Sequence, residues 1–125
     1  MSESAQTIDE AVATADGVVS TGTHVAGESG EGTTTPEHLM AAATASCLQQ
    51  SIRVAASSQD VDDSGTEVTG TVRLTPDSGG GYTAHFVLEV SGLPEDVAQR
   101  VLDQAQQICP FTKALSAADL TVRLG

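Results

Sequence analysis

Positive charge is what this chain has least of. It holds 5 Lys+Arg against 17 Asp+Glu in 125 residues, a formal net charge of −12. The cations are Arg53, Arg73, Arg100, Lys113 and Arg123, so no Lys or Arg precedes Arg53. A surface of that sign repels nucleic-acid phosphates and anionic membranes, which argues against both as partners. Tryptophan is absent, and the aromatics are Tyr82, Phe86 and Phe111. Small Ala, Val, Thr and Gly must therefore fill most of the core. Acid excess, scarce Lys and small side chains suit a halophilic protein, because at 1 M salt the Debye length is about 3 Å and self-repulsion is screened.

Long apolar runs are missing too. Nothing reaches the ~20 residues a membrane helix needs. The opening Met1-Ser2-Glu3-Ser4 has neither a basic stretch nor an apolar one, so no secretory signal is expected and the expected location is cytoplasmic. Two cysteines without such a signal argue against a disulfide scaffold. A tetrahedral metal site would have to recruit Cys47, Cys109 and the scattered His24, His38 and His85, a set without metal-ligand spacing. No metal or cofactor is expected.

The patterns that are present describe one domain. Residues 1–16 have little periodicity and are expected to be disordered or a short edge element. The domain proper is expected over 17–125. Residues 17–25 lean towards strand through Val and Thr, and 27–35 are a loop by composition. Thr35-Pro36-Glu37 then reads as a helix start, with an N-cap hydroxyl, a proline in the first turn and an acid at the dipole's positive end. The helix should run to about Ser57. Ala41, Ala45, Leu48, Ile52 and Ala55 form its apolar stripe. Met40, Ala43, Cys47 and Val54 widen that stripe, which predicts burial on most sides.

From Thr66 the period becomes two. Val68, Gly70, Val72 and Leu74 share one face, residues 75–81 form a turn, and Tyr82, Ala84, Phe86, Leu88 and Val90 alternate again, as in a hairpin. Pro94-Glu95-Asp96 predicts a second helix with Val97, Val101, Leu102, Ala105 and Ile108 inward. Cys109-Pro110 interrupts it, a further helical segment covers 111–118, and Leu120, Val122 and Leu124 mark a last strand. The fold class is α+β, with helices packed on antiparallel sheet.

Both thiols admit two readings on their own. Cys47, in the most apolar helix, is either a small buried hydrophobe or a working thiol. Cys109 either fills the kink or, at the start of a new helical segment with Lys113 a turn further on, is a thiol of lowered pKa. Glu37 is already explained by the helix dipole, His38 by the helix start, and His85 as a solvated residue on a polar strand face. Within one continuous helix, Glu37 and Cys47 would be about 15 Å apart along the axis. A site using both would need a second copy of the chain or a broken helix.

Two motifs give these residues a context. The run from Thr35 through Pro36, Glu37, His38, Leu39 and Met40 to Cys47, with its Cys ten residues after the Glu, resembles the segment that marks the OsmC/Ohr family. This is the family of osmotically inducible protein C and organic hydroperoxide resistance protein. Cys109-Pro110-Phe111-Thr112-Lys113-Ala114 resembles its Cys-Pro-x-Ser-Lys-Ala motif. The resemblance implies an intertwined homodimer, with antiparallel sheets packed on a long central helix and a second Cys-bearing helix. It implies a thiol-dependent peroxidase for organic hydroperoxides that needs no cofactor. Cys47 would be peroxidatic, Cys109 resolving and Glu37 the orienting acid, with a dithiol of lipoyl type as reductant. The family's peroxidases bring an activating arginine from the N-terminal region. Here His24 is the nearest substitute. The alternatives are an OsmC-like small-molecule binding protein that has lost turnover, and a redox switch.

Overall fold

Thr35 begins the longest element as its chemistry requires. In the computed structural model, which describes residues 9–15, 19–20, 25–26 and 33–125, the strands before it are β1 (Asp9–Ala15), β2 (Val19–Ser20), β3 (Val25–Ala26) and β4 (Thr33–Thr34). Helix α1 (Pro36–Ser58) is followed by β5 (Glu67–Pro76), β6 (Tyr82–Ser91), α2 (Ala98–Ile108), α3 (Pro110–Ala114) and β7 (Asp119–Leu124). The Thr35 hydroxyl accepts from the His38 N–H at 3.3 Å, and the Thr35 N–H donates to His38 Nδ1 at 3.4 Å. These bonds close a capping box that satisfies amides the helix itself leaves unpaired.

The hairpin β5–β6 forms the centre of a sheet ordered β2-β1-β5-β6-β7, and β3 and β4 pair separately. Its inner face carries the expected Val68, Val72, Phe86, Leu88 and Val90, all buried. Helix α1 lies across that face. Ala41, Ala45, Leu48, Ile52 and Ala55 are fully buried against the sheet and α2, in a core that also takes Val101, Leu102 and Cys109. The approach is close: a Cβ on Gly70 would meet the Ala41 carbonyl at 2.8 Å. The alanines of α1 and the glycine of β5 are thus two halves of one contact.

The structure departs from the sequence reading in five places. Residues 9–15, expected as disorder or a short edge, form a full strand antiparallel to β5, with Ala11 and Ala13 buried. Alanine carries little strand signal, so the partner strand decides this element. Helix α1 is covered on fewer sides than expected, since Leu39, Met40 and Val54 are 52%, 40% and 59% exposed. One protomer supplies a sheet and α2, and nothing described packs over those three. Helix α2 starts at Ala98, because residues 94–97 form a turn closed by the Val97 N–H on the Pro94 carbonyl. Ile108, expected inward, is exposed at the end of α2.

The fifth departure concerns β7, which runs parallel to β6 because the chain returns through α2 and α3. That register sets Asp119 opposite His85. His85 was expected to be solvated. Its side chain is instead 13% exposed, with Nε2 2.7 Å from the Thr75 hydroxyl and Nδ1 bonded to the Asp119 carboxylate.

Candidate functional site

The close packing of α1 against α2 brings the two thiols together. Cys47 projects from the middle of α1 at the edge of the core cluster, and Cys109 lies within it. Their Sγ atoms are 3.4 Å apart. A disulfide needs about 2 Å, so the reduced pair could close with little movement. The arrangement at Cys109 follows from Pro110. A residue before proline is pushed out of helical geometry, and Cys109 is extended at φ −76°, ψ 112°. Its N–H still bonds the Ala105 carbonyl at 2.9 Å, and its carbonyl accepts from the Lys113 N–H at 3.2 Å. Cys109 therefore ends α2 and caps α3 at once. The Thr112 hydroxyl ties the break together, donating to the carbonyls of Gln106 at 3.3 Å and Cys109 at 3.2 Å.

The thiols differ in environment. Cys109 has no exposed surface, and burial by itself pushes its pKa up. The N–H and hydroxyl of Thr112, the Cys47 thiol and the Phe111 N–H outweigh that burial, so Cys109 lies below the ordinary thiol value. Cys47 is pushed above it, first by burial, with the Phe111 N–H opposing and Cys109 adding to the rise. Of the two thiols, Cys109 is therefore the one that gives up its proton first. Cys47 is the partly exposed member. It opens into a cavity of about 360 Å³ lined by Cys47, Gln50, Ser51, Val54, Ile108 and Pro110. Among the described residues, none of those lining it is charged.

The other sequence candidates lie apart from the thiols or outside what is described. Glu37 occupies the first turn of α1. That helix is unbroken from Pro36 to Ser58, so about 15 Å of axial rise separates Glu37 from Cys47 within one chain. His24 falls outside the described residues. Arg53 faces Asp63, with Nε 4.0 Å from the carboxylate, and shares a separate cavity with Asp60, Asp62 and Asp63. Lys113 lines another cavity, with Gln106, Thr112, Ser116, Leu120 and Val122. Among the described residues no group of three or more His, Cys, Asp or Glu could hold a metal ion, and no helix is long and apolar enough to cross a membrane. Sequence reasoning quoted Thr112 within the Cys109-Pro110 motif but gave it no role; its signal was a hydroxyl residue at the serine position of that motif.

The family described as OsmC-like protein matches residues 27–124. The organic hydroperoxide resistance protein OhrB of Bacillus subtilis is 33% identical over 88 residues, covering 68% of this chain and 64% of that protein. Organic hydroperoxide resistance protein-like 2 of Staphylococcus epidermidis is 29% identical over 91 residues, covering 70% of this chain and 64% of that protein. The chain thus spans just under two thirds of the length of the curated relatives it matches. The crystal structure of the Bacillus subtilis OhrB superposes with a TM-score of 0.66 at 31% identity, covering 77% of this chain and 73% of that one.

Proposed function

The chain belongs to the OsmC-like protein family, and we propose that it is a thiol peroxidase that reduces organic hydroperoxides at Cys47 and resolves the product with Cys109. The observation that carries this reading is the pair itself: two reduced sulfurs 3.4 Å apart, one buried and one open to an uncharged cavity. The difference in exposure sets the order of events. Only Cys47 can meet a peroxide. Cys109, the more readily ionised thiol and 3.4 Å away, is placed to take the Cys47 proton as the peroxide arrives.

The Cys47 thiolate attacks the terminal peroxide oxygen and the O–O bond breaks. The alkoxide leaves as an alcohol after taking up a proton, and Cys47 becomes a sulfenic acid. The sulfur of Cys109 attacks that sulfenic acid, the S–O bond breaks, water departs and a Cys47–Cys109 disulfide forms. A dithiol of lipoyl type returns both cysteines to thiols and is itself oxidised to a disulfide. Glu37 serves the thiols of a second copy in this reading, because one straight helix keeps it from its own Cys47. The working unit is then a cytoplasmic homodimer. His24 is the candidate for the activating group.

A second reading, ligand binding without turnover, draws on one observation: none of the five cations lines the cavity at Cys47. Mass spectrometry after one equivalent of cumene hydroperoxide decides between the two. The peroxidase reading expects loss of two hydrogens through a Cys47–Cys109 disulfide, absent in Cys47→Ala and Cys109→Ala, with sulfenic acid at Cys47 in the latter. Thiols that survive excess peroxide in folded protein would leave the binding reading.

A further inference from the structure

The break between α2 and α3 sets a hydrogen-bonding problem that one side chain solves. In an unbroken helix the Gln106 carbonyl would accept from the N–H four residues on. That residue is Pro110, which has no N–H to give. The Thr112 hydroxyl takes its place, donating to the Gln106 carbonyl at 3.3 Å. The same hydroxyl reaches the Cys109 carbonyl at 3.2 Å, where the Lys113 N–H also donates at 3.2 Å. Thr112 is 6% exposed, so this is an internal clasp. It joins the last turn of α2, the extended Cys109 and the first turn of α3.

The clasp matters because of what it holds. With Cys109 extended at the break, the direction of its side chain depends on how the two flanking segments are joined. Its Sγ stands 3.4 Å from that of Cys47. Closure to the ~2 Å of a disulfide is a short movement, but its rate falls steeply once the two sulfurs are out of line. Thr112 also bears on the sulfur itself. Burial opposes ionisation of Cys109, and the N–H and hydroxyl of Thr112 favour it. The thiolate is the attacking species. Both sulfurs and the clasp belong to one chain.

Resting on the peroxidase reading, we infer that Thr112 is a positioning residue for the resolving step: its hydroxyl holds Cys109 in line with Cys47 and so decides whether a Cys47 sulfenic acid ends as disulfide or as sulfinic acid. Two reactions compete for that sulfenic acid. In one, the Cys109 sulfur attacks Cys47, the S–S bond forms, the S–O bond breaks and the oxygen leaves as water with the Cys109 proton. In the other, a second hydroperoxide gives an oxygen to the Cys47 sulfur. Its O–O bond breaks, the alcohol leaves, and the sulfur is oxidised by two further electrons to sulfinic acid. Only the first reaction uses Cys109. The ratio of the two products therefore reports the resolving step alone, whatever the rate at which the sulfenic acid forms.

The test treats the full chain with graded cumene hydroperoxide and measures both products by mass spectrometry, in the unsubstituted protein and in Thr112→Val, Thr112→Ser and Thr112→Ala. Valine keeps the shape and removes the hydroxyl, whereas serine keeps the hydroxyl and removes the methyl. In Thr112→Val the peroxide concentration that gives equal disulfide and sulfinic acid should fall by roughly three- to tenfold, the effect of one ordinary hydrogen bond. Thr112→Ser, which retains that bond, should stay within about twofold of the unsubstituted protein. Serine and alanine differ by the same oxygen, so Thr112→Ser against Thr112→Ala carries the comparison if circular dichroism shows Thr112→Val unfolded. A role in folding alone would lower the melting temperature of the hydroxyl-free variants without moving the product ratio. An unmoved ratio in those variants, or a Thr112→Ser value as low as theirs, overturns the inference and leaves the peroxidase reading standing. Thiols that survive peroxide in the folded, unsubstituted protein overturn that reading and this inference together.

Discussion

At the scale of single residues, the chemistry turns on an asymmetry between two thiols in contact. Cys109 is the more buried, yet it is the more acidic, because Thr112, Phe111 and Cys47 all favour its charged form. Cys47 is raised by burial and by the neighbouring Cys109. The sign of the pH dependence follows. As pH rises, one thiolate forms below the ordinary value of 9.0, with its charge on Cys109, and the second proton leaves only above it. Thiolate absorbance should rise in two separated steps, and disulfide formation with peroxide should reach its plateau through the first. In Cys109→Ser the early step disappears and a single step remains, that of Cys47, whose burial opposes ionisation. A single step at the ordinary value in the unsubstituted protein would contradict this account. The cysteines and the motifs around them were legible in the sequence, but which thiol is acidic was not. That depends on a hydroxyl and two amides whose direction only the folded Cys109-Pro110 break defines.

At the scale of elements, the contact between α1 and the sheet sets the site. Gly70 lets α1 approach until its own missing Cβ would lie 2.8 Å from the Ala41 carbonyl and 3.2 Å from Ala45 Cβ and Leu88 Cδ2. A backbone carbonyl cannot rotate away as a side chain can. Gly70→Ala should therefore destabilise by about 1–3 kcal/mol, the usual cost of overpacking. Urea unfolding would show this as a lower midpoint at unchanged slope. A neutral effect would mean that α1 can shift outward, and the distance between the thiols should then change with it. The central helix was readable from its cap and stripe, and the hairpin from strict alternation. Strand β1 was not, because Ala11 and Ala13 are too weakly apolar to announce a buried face. The start of α2 was misread because Pro94-Glu95-Asp96 suits a turn as well as a first helical turn.

At the scale of the whole molecule, charge and exposed apolar surface pull in opposite directions. Leu39 and Met40, on the first turns of α1, are about half exposed, and the second copy proposed above for Glu37 would cover them. Two copies of a −12 chain repel each other, and salt removes that repulsion within a few ångströms. Light scattering should therefore give twice 12.7 kDa in molar KCl, with the dimer and the melting temperature both declining as KCl is removed. A monomer at every salt concentration would exclude the shared site and with it the role proposed for Glu37.

What the sequence by itself determined was local and compositional. It set the α+β class, the helix opening at Thr35, the alternation of β5 and β6, the break at Cys109-Pro110, and the two motifs that tie Cys47 and Cys109 to one family. Each depends on residues a few positions apart, or on a total such as net charge. Tertiary structure alone decided that the two thiols are 3.4 Å apart, that His85 is enclosed by Thr75 and Asp119, and that β1 joins the sheet. It also decided that Gln50, Ser51, Val54, Ile108 and Pro110 gather around Cys47 in one cavity. These depend on parts of the chain far apart in sequence, and no local pattern encodes where two distant side chains will meet.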